Sequence, residues 1–384
     1  MAENRRPLKK KKMKNNRPVV FFDFSLLFII LFLVAFGLIM VYSTSAYMAG
    51  IKLGKVDYYF KRQLLTSGLG IFAMILTSHI DYHWYRRFVG IIYLGAFVLC
   101  TAVAIPGIGR EINGSRRWLY LGPINFQPSE LAKLAVLIIV AVLVSQMPQK
   151  INNFKNVVKI MCIVLPLFAL VGYTNLSNAI ILMAITVLII FVASKKYAQF
   201  FVTAGILGVA GIAFILLESY RASRIEAWLH PETSEKGYQT LQGLYAIGSG
   251  GLFGKGLGQS MQKLGYVPEA QNDMIFSIIC EELGLFGAVC VICLFILMLW
   301  RFAVIANNAR DLLGSLMVVG AMAHIATQVV LNIAVVTNSI PNTGISLPFI
   351  SYGGTSVIFL LAEMGIVLNV SRGIRIEETY EEQV

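Results

Sequence analysis

The stretch "FSLLFIILFLVAFGLIMVYS", residues 24–43, is twenty residues long and carries no charged side chain. A helix needs roughly 20 apolar residues to cross the hydrocarbon of a bilayer, so the stretch predicts a membrane-spanning helix. Similar apolar runs follow along the whole chain, which a cleaved signal peptide does not explain. The nine further predicted spans lie at 63–80, 89–106, 128–147, 157–173, 176–193, 198–217, 274–300, 312–337 and 352–370.

Composition agrees with this pattern. The 384 residues are 57% hydrophobic and only 14% charged, whereas soluble domains average about 25% charged residues. The sequence therefore predicts an all-α polytopic membrane protein with about ten transmembrane helices. A long extracellular loop, 218–273, is expected between helices 7 and 8.

Basic residues give the expected orientation. If the N-terminus is cytoplasmic, the short inside segments carry more Lys and Arg than the longer outside segments, as the positive-inside rule requires. With ten spans both termini are then cytoplasmic. The predicted organisation is a basic cytoplasmic tail at 1–20, one membrane domain at 21–371 and a cytoplasmic C-terminal tail at 372–384.

The net charge of +12 mostly reflects this topology. The N-terminal tail is suited to anionic lipid headgroups. Nucleic-acid binding needs basic residues on one folded surface, and here they cluster beside spans, so no nucleic-acid partner is expected.

Three carboxylates stand at the start of the eighth span, in "GYVPEAQNDMIFSIICEELG", residues 265–284. Asp273 lies where the outside loop meets the span, where contact with a low-dielectric region raises a carboxyl pKa and makes the carboxylate a better base. It is a candidate catalytic residue, and the alternative is an N-cap. On an ideal helix Glu281 and Glu282 point elsewhere, and we expect them to hold helices together.

Two charges lie at the outer end of the fourth span, in "QPSELAK". Glu130 and Lys133 are three residues apart and share one helix face. Charges inside a membrane normally pair with each other or line a cavity. Both alternatives stay open: a structural ion pair, or the polar wall of an outward-facing substrate cavity.

Arginines break the topology rule in the outside segments. Arg116 and Arg117 lie in "GSRRWL", and Arg221 and Arg224 are three residues apart in "SYRASRIEAWL". Outside arginines are suited to an anionic ligand such as a pyrophosphate. The alternative for the first pair is contact with lipid headgroups. The second pair falls in a predicted amphipathic interfacial helix.

Two further outside segments have broken backbone patterns. Six glycines fall between Gly248 and Gly258, which favours either an anion-binding turn or a loop packed on the bundle. The segment 339–356, "SIPNTGISLPFISYGGTS", interrupts an apolar region, which is tolerated only at a cavity or within protein. It predicts a re-entrant loop or a plain kinked one. From these segments Lys255, Lys263 and Ser351 are additional candidate substrate ligands.

Together the motifs "GSRRWL", "QPSELAK", "AIGSGGLFGKGLGQSMQKLGYVPEAQNDMIF" and "GISLPFISYGG" resemble the SEDS proteins, the FtsW, RodA and SpoVE group. The resemblance covers about residues 20–375, with the motifs in the same order and a matching span count. "GLGQSMQK" is most similar to the FtsW and SpoVE branch.

The resemblance implies a peptidoglycan glycosyltransferase of the bacterial cytoplasmic membrane. Such proteins polymerise lipid II, with undecaprenyl pyrophosphate as leaving group, beside a class B penicillin-binding protein and other divisome or sporulation membrane proteins. The essential aspartate of the family falls on Asp273, and the Glu and Lys of its QPSE motif fall on Glu130 and Lys133. No organic cofactor is expected. A divalent cation, Mg²⁺ or Mn²⁺, stays open, with Asp273 as its candidate ligand.

Two departures narrow what the resemblance implies. Many relatives have His-Thr before the aspartate, where this chain has Gln271-Asn272. Many also have Pro-Asp-Leu-Gly before the sixth span, where this chain reads Thr174-Asn175-Leu176-Ser177. A role for the acid of that turn does not carry over.

Two other functions remain as alternatives. A lipid II flippase should keep its polar groups near the bilayer midplane, and the motifs here gather near the outer face. A non-catalytic divisome scaffold would tolerate replacement of Asp273 by Asn.

Overall fold

The computed structural model of the protein describes residues 22–105, 107–112, 115–121, 124–196, 201–202, 205, 219–234 and 237–374. This part of the chain is mostly helical, which confirms the predicted fold class. Its long helical elements are α1 (Phe24–Leu53), α2 (Tyr58–His79), α3 (His83–Ala104), α4 (Pro128–Gln146), α5 (Phe154–Thr174), α6 (Leu176–Ala193), α7 (Ser219–Leu229), α8 (Tyr238–Gly250), α9 (Ile275–Asn307), α10 (Leu312–Val336) and α11 (Thr355–Arg372).

Eight of these helices are long and apolar enough to span a membrane, namely α1, α3, α4, α5, α6, α9, α10 and α11. The predicted span 63–80 corresponds to α2, which is equally long but less apolar because it packs small and polar residues against α11. The predicted span 198–217 lies almost entirely outside the described residues.

The centre of the bundle is formed by α4, α10 and α11, which are the most buried of these spans. Helix α11 packs along α2, α10 packs between α9 and α6, and α4 contacts α3 and α6. Polar caps fix several ends. Asp23 accepts the Leu26 N–H at 2.9 Å at the start of α1 and forms an ion pair with Arg301 of α9 at 2.6 Å.

A small antiparallel sheet interrupts the helices between α3 and α4. It consists of β1 (Arg110–Ile112), β2 (Ser115–Leu121) and β3 (Ile124–Phe126), in the order β1-β2-β3. The sequence motifs of this segment predicted an outside loop and gave no indication of the sheet. Its last strand leads directly into α4, so the sheet fixes where "QPSELAK" begins.

The segment 337–354, between α10 and α11, is irregular, and its part from residue 345 to 351 is largely buried. Helix α1 approaches it so closely that a Cβ on Gly37 would overlap the Phe349 carbonyl. Side chains satisfy its backbone: Gln63 of α2 donates to the Ser351 carbonyl at 3.2 Å, and Ser177 of α6 donates to the Thr343 carbonyl at 2.9 Å. Side chains of neighbouring helices therefore satisfy part of this irregular backbone.

The glycine-rich stretch is packed into a break in α9. At Gly284 the helix has φ 69° and ψ −168°. The Lys255 and Gly256 N–H groups donate to the Glu281 and Glu282 carbonyls, each at 2.9 Å. In return the Leu285 N–H donates to the Gly251 carbonyl at 2.9 Å. This exchange satisfies the backbone groups that the break leaves without helical partners.

The break depends on glycine at position 284. Its backbone conformation is one that essentially only glycine adopts, and a Cβ there would overlap the Gly254 backbone nitrogen. We predict that Gly284→Ala lowers the free energy of unfolding by about 3 kcal/mol or more, from backbone strain and the overlap together. Thermal unfolding in detergent measures this change.

Gly248→Ala is the matched control, since a Cβ at that position meets no atom within 4 Å. It should leave the unfolding midpoint within a few degrees of that of the parent protein. Equal stability of the two variants would show that the stretch is not held in the break.

Candidate active site

A cavity of about 750 Å³ lies where five helices begin. The first residues of α2, α4, α6 and α11 and the residues just before α9 line it, together with β2, β3, part of α10 and the irregular segment 337–354. Each helix N-terminus carries a partial positive charge. The cavity therefore combines a positive field with a polar wall at one end of the bundle.

Asp273 lines this cavity at the start of α9. It is not a cap, because Met274 holds the N-cap position and no side chain caps this helix. Its Oδ1 accepts a hydrogen bond from Gln239 of α8 at 3.2 Å, and its backbone carbonyl accepts one from Asn332 of α10 at 2.9 Å. One bond thus holds the carboxylate and the other the backbone of the same residue.

Burial, together with a smaller effect of the nearby Glu269 carboxylate, raises the pKa of Asp273 to about 6. The hydrogen bond from Gln239 and the charge of Arg117 act in the opposite direction. A carboxylate with a pKa near 6 is mostly ionised at neutral pH and is a stronger base than an ordinary aspartate. Its environment is suited to proton abstraction.

A chain of hydrogen bonds connects Asp273 to α8 and α7. Gln239 binds Asp273 with its amide nitrogen and accepts from Asn342 with its amide oxygen at 3.1 Å. Arg224 of α7 donates to the Asn342 carbonyl at 2.9 Å. Arg224 therefore positions the irregular segment that supports the site, rather than lining the cavity as predicted.

Glu130 and Lys133 form the ion pair that their spacing predicted, with Lys133 Nζ 2.9 Å from Glu130 Oε1. Lys133 is only 1% exposed and does not line the cavity, whereas Glu130 does. The second oxygen of Glu130, Oε2, has no hydrogen-bond partner among the described residues. Glu130 Oε1 therefore belongs to an ion pair within the protein, whereas Oε2 has no hydrogen-bond partner of this kind.

The predicted arginine ligands have different positions. Arg117 lines the cavity. The side chains of Arg116 and Arg221 lie outside the described part of the structure. A second cation, Arg62 of α2, also lines the cavity. No sequence motif pointed to Arg62, which lies just before the predicted span 63–80.

Three of the predicted substrate ligands bind protein groups instead. Lys255 Nζ pairs with Glu281 and Lys263 Nζ with Glu282, each at 2.7 Å. Neither lysine lines the cavity. Both ion pairs instead fix the glycine-rich stretch and the residues that follow it against α9. Ser351 is buried, and its hydroxyl accepts the Leu347 N–H at 2.8 Å. As expected, the two glutamates hold the membrane domain together.

The polar turn before α6 contains no acidic residue, but its side chains still cap the helix and line the cavity. Asn175 lines the cavity, and its side-chain oxygen caps α6 by accepting the Ser177 N–H at 3.0 Å. Asn178 lines the cavity one turn later and donates to the Ser129 hydroxyl at 2.8 Å. An amide therefore replaces the carboxylate of many relatives at the cap.

Lys133 offers a test that separates stability from activity. Lys133→Ala leaves the buried Glu130 carboxylate unpaired, which typically costs about 3–5 kcal/mol. The double variant Glu130→Gln/Lys133→Met removes both charges at similar volume, so it should recover most of this stability. We predict that the double variant stays strongly impaired in activity, because the cavity has lost its Glu130 carboxylate. Unfolding curves and turnover are measured together, and a fully active double variant would return the pair to a purely structural role.

Comparisons with known proteins agree with this geometry. The model of the FtsW, RodA and SpoVE family, described as cell cycle protein, matches residues 24–376. The chain is 42% identical to stage V sporulation protein E of Bacillus subtilis (strain 168), covering 91% of this chain and 97% of that protein. It is 35% identical to the probable peptidoglycan glycosyltransferase FtsW of Geobacter sp. (strain M18), covering 94% and 99%.

Two solved structures share the fold. A structure described as the structural coordination of polymerization and crosslinking by a peptidoglycan synthase complex matches with a TM-score of 0.77 and 28% identity, over 91% of this chain and 98% of that chain. The rod shape determining protein RodA of Thermus thermophilus matches with a TM-score of 0.67 and 26% identity, over 93% and 98%. The resemblance seen in the motifs is therefore confirmed, and the chain belongs to the FtsW/RodA/SpoVE family.

Proposed function

We propose that this protein is a peptidoglycan glycosyltransferase that polymerises lipid II at the outer face of the bacterial cytoplasmic membrane. The names of its FtsW relatives support this activity. The observation that carries the proposal is Asp273, a carboxylate with a pKa of about 6 on the wall of a polar cavity of about 750 Å³.

Asp273 acts as the general base of an inverting transfer. It accepts the proton of the acceptor sugar hydroxyl while that oxygen attacks the anomeric carbon of the donor and the bond to the lipid pyrophosphate breaks. The hydrogen bond from Gln239 and the Asn332 bond to the Asp273 carbonyl hold the carboxylate in place for this step. Such positioning lowers the entropic part of the barrier.

The leaving pyrophosphate needs positive charge. The five helix N-termini around the cavity supply partial charges, and Arg117 and Arg62 supply full ones. Arg116 remains a proposed ligand from its place in "GSRRWL", and Arg221 remains one from its place in α7. Lys133 contributes through Glu130, since the ammonium group itself does not line the cavity.

A divalent cation, Mg²⁺ or Mn²⁺, remains part of the proposal. No three His, Cys, Asp or Glu side chains form a metal-ligand set within the described residues. Mg²⁺ is commonly held by one or two carboxylates together with substrate phosphates. Asp273 lines the cavity and is the carboxylate that would hold the ion together with substrate phosphates, and the ion would neutralise pyrophosphate charge.

Orientation and organisation belong to the same proposal. With the cavity on the outer side of the membrane, both termini are cytoplasmic, with tails proposed at 1–20 and 372–384 and the membrane domain at 21–371. The segment 218–273 lies on the outer side and supplies α7 and α8.

A class B penicillin-binding protein is the proposed crosslinking partner. One structural neighbour comes from a complex that coordinates polymerization and crosslinking, which supports it. Similarity to a stage V sporulation protein and to FtsW supports a role in division or sporulation, together with other membrane proteins of those machineries.

We predict that Asp273→Asn and Asp273→Ala lower lipid II polymerisation by about 10²- to 10⁴-fold, the usual contribution of a general base. Folding and binding of the partner should be retained, because Asn keeps the acceptor for Gln239. The assay measures glycan strands made by purified protein with its cognate penicillin-binding protein. Glu232→Gln removes an exposed carboxylate outside the cavity and is the matched control.

Strand synthesis by either Asp273 variant at the control rate would remove the base from the mechanism. If the parent protein makes no strands with its partner bound but moves lipid II across liposome membranes, the protein is a flippase and not a glycosyltransferase. EDTA lanes in the same assay should abolish synthesis, with recovery on addition of Mn²⁺ or Mg²⁺, and undiminished synthesis in EDTA would exclude the cation.

A further inference from the structure

Three tyrosines and an arginine form a continuous part of the cavity wall. Tyr58, Tyr59 and Arg62 belong to the first turns of α2, and Tyr352 belongs to the irregular segment before α11. All four line the same cavity as Asp273. We call this set the aromatic wall, and its three rings have no part in the proposed base mechanism.

The rings of the aromatic wall support one another. Tyr59 and Tyr352 meet edge to face, with centroids 5.1 Å apart and an interplanar angle of 86°. Tyr58 and Tyr59 do the same at 5.2 Å and 89°. The guanidinium of Arg62 lies 4.8 Å from the Tyr58 centroid and bonds the Tyr352 hydroxyl. These geometries are the favourable ones for aromatic pairs and cation–π contacts, so the rings are preorganised.

The aromatic wall adjoins the catalytic segment. The Tyr352 N–H donates to the Gln271 carbonyl at 2.9 Å, two residues before Asp273. On the other side, the Glu269 carboxylate lies near the Tyr59 hydroxyl. A ligand group lying on Tyr59 and Tyr352 therefore lies beside the segment that carries the base.

The rest of the wall is rich in hydrogen-bonding groups. Seven amide side chains line the cavity: Asn125, Gln127, Asn175, Asn178, Gln271, Asn272 and Gln328. Three of the lining residues also carry a buried oxygen without a hydrogen-bond partner among the described residues, namely Glu130 Oε2, Asn272 Oδ1 and Gln328 Oε1. The amides that line the cavity offer both donors and acceptors, which suits a ligand rich in hydroxyl groups.

A pyranose ring would match both the aromatic rings and the hydrogen-bonding groups of the cavity wall. One of its faces is an array of C–H groups that lies well on an aromatic ring, and its edge carries hydroxyl and acetamido groups that bond amides and carboxylates. An isoprenoid tail would meet fewer matching groups, because the described residues that line the cavity include only two aliphatic ones, Leu65 and Ile345. A bare phosphate would use Arg62 and leave the rings unoccupied.

We propose that Tyr59 and Tyr352 form a platform for a sugar ring of the substrate, which stacks on the face of one ring while the other, nearly perpendicular, supports that ring edge to face. The inference rests on the proposed function and assigns the polar cavity to the disaccharide rather than to the lipid tail. Tyr59 and Tyr352 are positioning residues: they hold the sugar ring in register with Asp273, and Arg62 holds Tyr352. No bond forms or breaks at the platform.

Binding is measured separately from turnover by using the full chain with Asp273→Asn in nanodiscs. Two probes are compared, lipid II and undecaprenyl pyrophosphate, which carries the tail and the pyrophosphate without sugar. Tyr59→Ala and Tyr352→Ala remove a ring, and Tyr59→Phe and Tyr352→Phe keep it. Leu65→Ala is the control for an aliphatic lining residue.

We expect each Ala variant to weaken lipid II binding about tenfold and each Phe variant less than threefold. Binding of undecaprenyl pyrophosphate should be unchanged in all variants, which also shows that they are folded. Equal weakening for both probes would assign the rings to the tail or pyrophosphate, and unchanged lipid II binding in the Ala variants would remove the platform. A parent that binds undecaprenyl pyrophosphate but gains nothing from the sugars of lipid II would overturn the proposed function as well.

Discussion

Irregular backbone inside a membrane protein must have its polar groups satisfied, and in this chain that requirement falls on the segment 337–354. Six of its carbonyls accept hydrogen bonds from side chains of four helices. The donors are Gln63, Ser177, Arg224, Trp228, Gln328 and Asn332. Each unsatisfied group would cost several kcal/mol at membrane depth. The bundle thus packs around this loop, and one of the six donors, Gln328, also lines the cavity.

The same contacts position the chemistry. Asn332 donates both to the Ile345 carbonyl and to the Asp273 carbonyl, so one amide fixes the loop and the start of α9 together. Gln239 connects Asn342 to the Asp273 carboxylate. On the far side of α9, the glycine-rich stretch fills the break at Gly284 and brings Lys255 and Lys263 to the buried glutamates. Asp273 therefore lies just before a helix whose first turns are fixed twice, by Asn332 at the start and by the glycine-rich stretch at Gly284.

The sequence allowed prediction of the helical membrane fold, the positions of the described spans, the Glu130–Lys133 pair and the place of Asp273, because apolar length and misplaced charge are local signals. It did not predict the β-sheet at 110–126, whose short strands have no span-like pattern. It also assigned Lys255, Lys263 and Ser351 to the substrate, since a sequence does not show which buried partner a side chain finds. The amides of the site were overlooked for a related reason. A single Gln63 or Asn332 within an apolar helix has meaning only beside the carbonyl it binds.

The central claim is that Asp273 must be ionised to act. The most direct measurement is the pH dependence of kcat/KM for lipid II between pH 4.5 and 8 in the parent protein and in Glu269→Gln. Below the pKa of about 6 the carboxylate is protonated and cannot accept a proton, so the parent rate should fall about tenfold per pH unit. Removing the Glu269 charge should move the whole curve to lower pH, because that charge raises the pKa. A flat profile in the parent, or a curve that does not move in Glu269→Gln, would contradict the account.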